Sequence, residues 1–239
     1  MSTVAIVGTC DTKGNEFSFV RDKILSRGEV SKALLIDVGI RSDQDTILKG
    51  DITSIEVVKA SGYDYDKFKT LQKSEALHAM SSGLEYILLD LHAKGMLHGV
   101  FGMGGGCGTA LLSTAFQKLP IGLPKFLLST VIATGSARAY INCSDITIMY
   151  SVADFSGNIN RINEQIITNA ALGIAAMTVG YAAIQAERLV SNGIMRTIPK
   201  NKPLVALSEF GLTQPFVVAA QAYLQKLGYE IVGFHCSGK

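Results

Sequence analysis

No cysteine pair in this chain has the spacing of a metal or redox site. Cys10, Cys107, Cys143 and Cys236 lie far apart with no C-x-x-C, and the four histidines form no H-E-x-x-H or Cys/His cluster. Neither a disulfide framework nor a protein-built metal site is implied. Charge of one sign is equally scarce: 22 Lys+Arg against 20 Asp+Glu leave a net charge of +2, without a basic run or interleaved aromatics. No surface is therefore marked for nucleic acid. The N-terminal stretch opens on strand-like Val4-Ala5-Ile6-Val7 in place of the basic patch and apolar core of a secretory leader. With the unpaired cysteines, this predicts a cytoplasmic protein.

Charge is also missing from Gln165 to Gln185, a length that raises the question of a membrane span. Gln165, Thr168, Asn169, Thr178 and Gln185 interrupt the segment, and its apolar content is largely Ala and Gly, so no membrane is expected. The pattern predicts a helix, Ile162–Arg188, almost wholly buried in its own domain and against another copy of the chain in a homo-oligomer.

What is present is a chain of 239 residues, 48% hydrophobic, enough for one sizeable core or one domain and part of another. Continuous apolar runs predict strands over Thr3–Val7, Ala33–Val38, Gly99–Met103, Lys125–Thr130, Asp145–Tyr150, Leu204–Ser208 and Ile231–Phe234. Helical periodicity falls between them, over Asn15–Ser26, Leu71–Lys94, Thr109–Lys118, Ile162–Arg188 and Gln214–Lys226. This alternation predicts an α/β fold with a mostly parallel sheet. Ser191–Pro203 reads as a linker, after which a strand-helix-strand pattern restarts.

The richest segment is His98-Gly-Val-Phe-Gly102-Met-Gly104-Gly105-Gly106-Cys107-Gly108-Thr109, where a strand empties into glycines and then into a helix. Such a loop lets backbone N–H groups close on an anion at the positive end of a helix dipole, so a phosphate or carboxylate is its natural ligand. It lacks the Gly-Lys-Ser/Thr of a P-loop, and Cys107 stands where Gly-x-Gly-x-x-Gly needs its third glycine. The alternative is a tight strand-to-helix turn packed on the sheet. Gly8-Thr9-Cys10-Asp11-Thr12-Lys13-Gly14 ends the first strand at the edge where open α/β sheets bind ligands. Thr9 and Thr12 offer hydroxyls there, Lys13 a point charge for phosphate, and Asp11 either a helix-start anion or a carboxylate for Mg²⁺. Asp37 closes the second strand, where such sheets place an acid on ribose hydroxyls or cap a strand end. Ser129 and Thr130 put hydroxyls on the same edge, and Arg161 is a phosphate fork or a surface charge. For Cys10 and Cys107 no histidine base is positioned by sequence, and a structural role is expected.

Taken in order, several segments resemble the Tm-one-like ATP-binding domain family, to which a tomato mosaic virus resistance protein belongs. They are Gly8 to Lys13, Gly102 to Thr109, Leu119-Pro120-Ile-Gly122-Leu-Pro124-Lys125 leading to Ser129-Thr130-Val131, Ser144-Asp145-Ile146 through Tyr150-Ser151-Val152 and Asp154, Asn169-Ala-Ala, Phe210-Gly-Leu-Thr213-Gln-Pro215, and Gly228-Tyr-Glu-Ile-Val-Gly-Phe234-His235. The resemblance implies a Rossmann-like three-layer nucleotide-binding domain over residues 1–198. Residues 199–239 would then be the first strand-helix-strand of an incomplete second Rossmann-like domain. It also implies nucleotide binding at the carboxyl edge of the sheet. Together with the loops read above, the expected contacts for ATP or another phosphorylated small molecule are Gly8, Thr9, Asp11, Thr12, Lys13, Asp37, Gly104, Gly105, Gly106, Gly108, Thr109, Ser129, Thr130 and Arg161. Family members are associated with a TIM-barrel protein of the phosphoenolpyruvate-hydrolase type. The alternative function is accordingly an enzyme acting with that partner on a phosphorylated or carboxylated metabolite, with Lys13 or Arg161 stabilising developing charge. A third is an interaction protein whose site reports metabolite state. Two departures stand out: Gly106-Cys107 where the family carries Ser-Gly, and a Gly157–Arg161 loop one residue longer than its pattern.

Overall fold

The computed structural model describes residues 1–40, 48–134, 137–190 and 202–236. They fall into two compact units, Met1–Ile184 and Gln185–Lys239. Most of the expected linker, residues 191–201, lies outside the described residues.

In the first unit β1 (Thr3–Gly8), β2 (Lys32–Asp37), β3 (Gly99–Gly104), β4 (Lys125–Ser129) and β5 (Thr147–Tyr150) form one parallel sheet in the order β2-β1-β3-β4-β5. In β1 to β4 the apolar runs are continuous because both faces are covered, whereas β5, at the edge, is half exposed. Val4 and Ile6 pack with Phe17, Val20 and Ile24 of α1 (Cys10–Leu25) and with Ile167, Ala170 and Ile174 of α7 (Arg161–Val190). Ala5 and Val7, one residue out of phase, pack on the other face. That face carries α2 (Ser54–Ala60), α4 (Lys73–Ala93) and α5 (Gly106–Phe116), through Val57, Val58, Met80, Leu84, Leu111 and Leu112. Short helices α3 (Tyr65–Phe68) and α6 (Arg138–Ile141) complete the unit, which is the expected Rossmann-like three-layer α/β arrangement.

Two helices begin earlier than their periodicity predicts. α1 starts at Cys10, whose N–H is held by Asp37 Oδ1 at 3.0 Å, and it kinks at Lys13 (φ −133°, ψ 26°) before the regular run. α5 starts at Gly106, so the glycine loop supplies the first turn of the helix; Thr109 N–H closes it on Gly105 C=O at 2.7 Å. Helices α2 and α3 fall where no helix was expected. A capping box in which Thr53 and Glu56 satisfy one another's backbone N–H groups starts α2, and Asp64 Oδ1 caps α3.

The expectation that Ile162–Arg188 is almost wholly buried is corrected. α7 is long and apolar enough by composition to cross a membrane, yet only 33% of its most apolar window is buried. Asn163, Ile167, Ala170, Ala171, Ile174, Ala175 and Thr178 form the packed stripe, at helical spacing, while Ile162, Ala176, Met177 and Ile184 face outward. Packing onto one face of a sheet needs one stripe of a helix, whatever its other side carries.

The second unit contains β6 (Leu204–Glu209), α8 (Gln214–Lys226) and β7 (Glu230–His235). β6 and β7 pair in parallel from Leu204↔Glu230 to Glu209↔His235, a strand-helix-strand of the form expected from the sequence.

Candidate functional site

Gly8, Asp37, Gly104 and Ser129 end their strands in register, Gly8 opposite Asp37 and Gly104 opposite Ser129, so the loops that follow leave from one edge. β1 and β3 are neighbours there, with β2 outside one and β4 outside the other. That is the switch point at which crossovers diverge and open α/β sheets leave a crevice. The loops that flank it are the two the sequence singles out.

Between them lies a cavity of about 540 Å³. One side is polar: Gly8, Thr9, Asp11, Thr12 and Lys13 after β1, and Gly104 to Gly108 after β3. Thr9 and Thr12 share a hydroxyl contact of 3.0 Å. The Asp11 carboxyl lies so close to Gly39 that a Cβ there would stand 3.0 Å from its Cγ, and its Oδ1 is buried without a hydrogen-bond partner among the described residues. The opposite side is apolar, with Phe68, Leu71 and Leu77, and it bears Lys69 and Lys73. Sequence reasoning missed this wall and both lysines. One signal was there: Lys73 opens α4, where a cation opposes the helix dipole.

The glycines divide by function. A Cβ at Gly8 would fall 1.7 Å from the Phe17 ring, and one at Gly102 2.9 Å from Leu112, so helix packing fixes both. At Gly104 it would meet the Gly108 backbone at 3.0 Å, which fixes the tight turn. Gly105 has only an ordinary contact, 3.6 Å from Thr130 Oγ1, and Gly106 and Gly108 face open space. None of these loop glycines has a positive φ. Glycine within a helix costs about 1 kcal/mol against alanine. Nothing among the described residues accounts for it at Gly106 and Gly108. The amides of Gly106, Cys107 and Gly108 begin α5, where an N–H has no acceptor in its own helix.

Other expected contacts, Asp37, Thr109, Ser129, Thr130 and Arg161, are not among the residues that line the cavity. Asp37 is 3% exposed, and its Oδ1 takes the N–H groups of Cys10 at 3.0 Å and Gly39 at 2.9 Å, so it organises the start of α1. Thr109 and Ser129 are fully buried, with hydroxyls 2.9 Å apart, and Thr109 also donates to Gly104 C=O at 3.1 Å. Thr130 N–H donates to the same carbonyl at 3.3 Å. These residues brace the glycine loop from beneath. Arg161 lines a separate surface hollow with Ile162, Gln165, Ile166 and Asn169. Burial, then the charge of Asp37, holds the Cys10 thiol far above its ordinary value, in keeping with a structural cysteine.

At the other edge of the sheet, two segments that carry the family resemblance meet. Lys125 opens β4 fully buried, and its Nζ donates to Pro120 C=O at 2.8 Å, Leu123 C=O at 2.9 Å and Asp145 Oδ1 at 2.6 Å. Asp145 Oδ2 accepts from Gly122 N–H at 2.7 Å. This part of the pattern serves folding.

A UPF0261 protein of Clostridium tetani is 33% identical over 235 residues, 98% of this chain and 54% of that protein. A UPF0261 protein of Rhizobium meliloti is 34% identical over 238 residues, again covering 54% of its own length. The ToMV resistance protein Tm-1(GCR237) of Solanum lycopersicum is 32% identical over 252 residues, 98% of this chain and 31% of that protein. The chain thus spans about half the length of these bacterial relatives. Among solved structures, the UDP-GlcNAc 2-epimerase of Neisseria meningitidis bound to UDP-GlcNAc aligns with a TM-score of 0.34 at 10% identity, covering 100% of this chain and 67% of that one. Residues 2–183 match the N-terminal domain of the uncharacterised protein family UPF0261 and residues 202–239 match its C-terminal domain, so the chain belongs to that family.

Proposed function

We propose that this protein binds ATP or a similar phosphorylated small molecule in the cavity between the first-strand loop and the glycine loop. The observation that carries the reading is the pair Gly106 and Gly108, for which, among the described residues, neither the backbone nor neighbouring side chains give a reason. Glycine there lets a ligand oxygen reach the first-turn amides of α5, at the positive end of the helix. Lys13 adds a cation beside them, and the apolar wall receives the body of the ligand.

Asp11 is the one carboxylate among the lining residues. Mg²⁺ would enter chiefly on the ligand's phosphates, with Asp11 as a protein contact, as suits an ion that keeps most of its own water. In the reading as an enzyme, Lys13 alone keeps a place at the cavity, because Arg161 lines another hollow. The outward stripe of α7, with Ala176 and Met177, is our candidate contact between copies of the chain.

Thermal unfolding with ATP, ADP or inorganic phosphate tests the binding reading. A ligand of the folded state raises the midpoint with concentration. An unchanged midpoint with all three at millimolar concentration would contradict it.

A further inference from the structure

The charge around the cavity exceeds what a single phosphate needs. Among the described residues, three ammonium groups, Lys13, Lys69 and Lys73, line it against one carboxylate, Asp11. Lys13 belongs to the first-strand loop, whereas the other two sit on the opposite wall, at the α3–α4 corner beside Phe68 and Leu71. Lys69 is committed within its own segment: its Nζ lies 3.3 Å from Asp66 Oδ1 and 4.9 Å from the centre of the Tyr65 ring. Lys73 makes no ion pair among the described residues. It also occupies the first position of α4, where helix electrostatics disfavour a cation. A residue that breaks a local rule without local compensation is expected where a ligand supplies the compensation.

Resting on the binding reading above, we infer that Lys73 is a second anion contact, and that the preferred ligand is a di- or triphosphate ester with an apolar-faced body. One anionic group occupies the glycine loop and Lys13. The negative charge continues to the α3–α4 corner, where Lys73 meets it, and the organic body lies against Phe68, Leu71 and Leu77. A monophosphate fills the glycine loop and leaves Lys73 unmatched. Lys73 thus sets which phosphorylated ligands are preferred, while the glycine loop decides whether any of them binds.

Calorimetric titration of the full chain with AMP and ATP, in buffer containing Mg²⁺, tests this on the wild type, Lys73→Gln, Lys73→Arg and Gly106→Val. Lys73 is exposed on the helix surface, so its variants are expected to fold. The wild type should prefer ATP over AMP by about tenfold or more, a difference of the size one charge-assisted contact supplies. Lys73→Gln should lose most of that preference with AMP binding unchanged, Lys73→Arg should keep it, and Gly106→Val should weaken both ligands. An unchanged ATP-to-AMP ratio in Lys73→Gln, with Gly106→Val still weakening both, overturns the role of Lys73 and leaves the binding reading standing. Failure of both nucleotides to bind the wild type overturns both.

Discussion

Thr109 and Ser129 meet hydroxyl to hydroxyl at 2.9 Å beneath the glycine loop, joining the first turn of α5 to the end of β4. Both are fully buried. Two residues whose types point to ligand contact therefore act one layer below it, holding the turn that presents the amides.

Thr109→Val should accordingly cost about 1–2 kcal/mol of stability, because it removes the hydroxyl pair with Ser129 and the bond to Gly104 C=O, leaving Ser129 Oγ only the Val131 N–H. Urea denaturation measures this. A variant as stable as the wild type would show that the pair does not brace the loop.

Glycines of the two kinds should respond oppositely to alanine. Gly8→Ala drives a methyl into the Phe17 ring and should destabilise by about 2–3 kcal/mol. Gly106→Ala meets nothing and should be neutral, or stabilising by up to about 1 kcal/mol. Equal losses in the two variants would contradict the division.

The ion pair at the far edge should appear in the acid limb of stability. Burial raises the Asp145 carboxyl, but the hydrogen bonds from Lys125 and the Gly122 N–H outweigh it and hold the group below its ordinary value of 3.8. A carboxyl lowered by folding stabilises above its unfolded value, and that contribution is lost as pH falls through the folded one. Asp145→Asn should cost about 2 kcal/mol at neutral pH, since Lys125 keeps two carbonyl acceptors. The difference from the wild type should shrink below about pH 4. Denaturation midpoints between neutral and acid pH decide it; a difference that grows on acidification reverses the sign argued here.

The outer stripe of α7 makes its own prediction. Met177→Lys adds charge to an exposed, uncharged face without touching the packed one. If copies of the chain meet there, sedimentation should show a shift to smaller species with folding intact. Identical sedimentation of the two proteins would remove that face from any self-association.

The sheet was legible because β1 to β4 are apolar runs buried on both faces, with β5 half exposed at the edge, and the loops at its edge because glycine and hydroxyl residues cluster after β1 and β3. Depth was not legible. Asp37 sits where an acid often reads a ribose, yet two backbone amides take its Oδ1. Gly104 and Gly106 look alike in sequence, but only the first abuts backbone. The apolar wall was hidden for another reason: Phe68 and Leu77 reach the cavity only through the packing of α3 and α4 at the end of the sheet. In α7, composition identified a packing helix but could not divide Ala171, which is buried, from Ala176, which is exposed.

The central claim is that the glycine loop is a phosphate site, and titration of ATP into Gly106→Val, with denaturation of the same sample, tests it most directly. Position 106 has room for the side chain among the described residues, and valine is no worse a helix former than glycine, so folding should change by no more than about 1 kcal/mol. ATP affinity should fall by about tenfold or more, as valine bars a phosphate from the amides of Gly106, Cys107 and Gly108. A folded variant that binds ATP as tightly as the wild type would contradict the account.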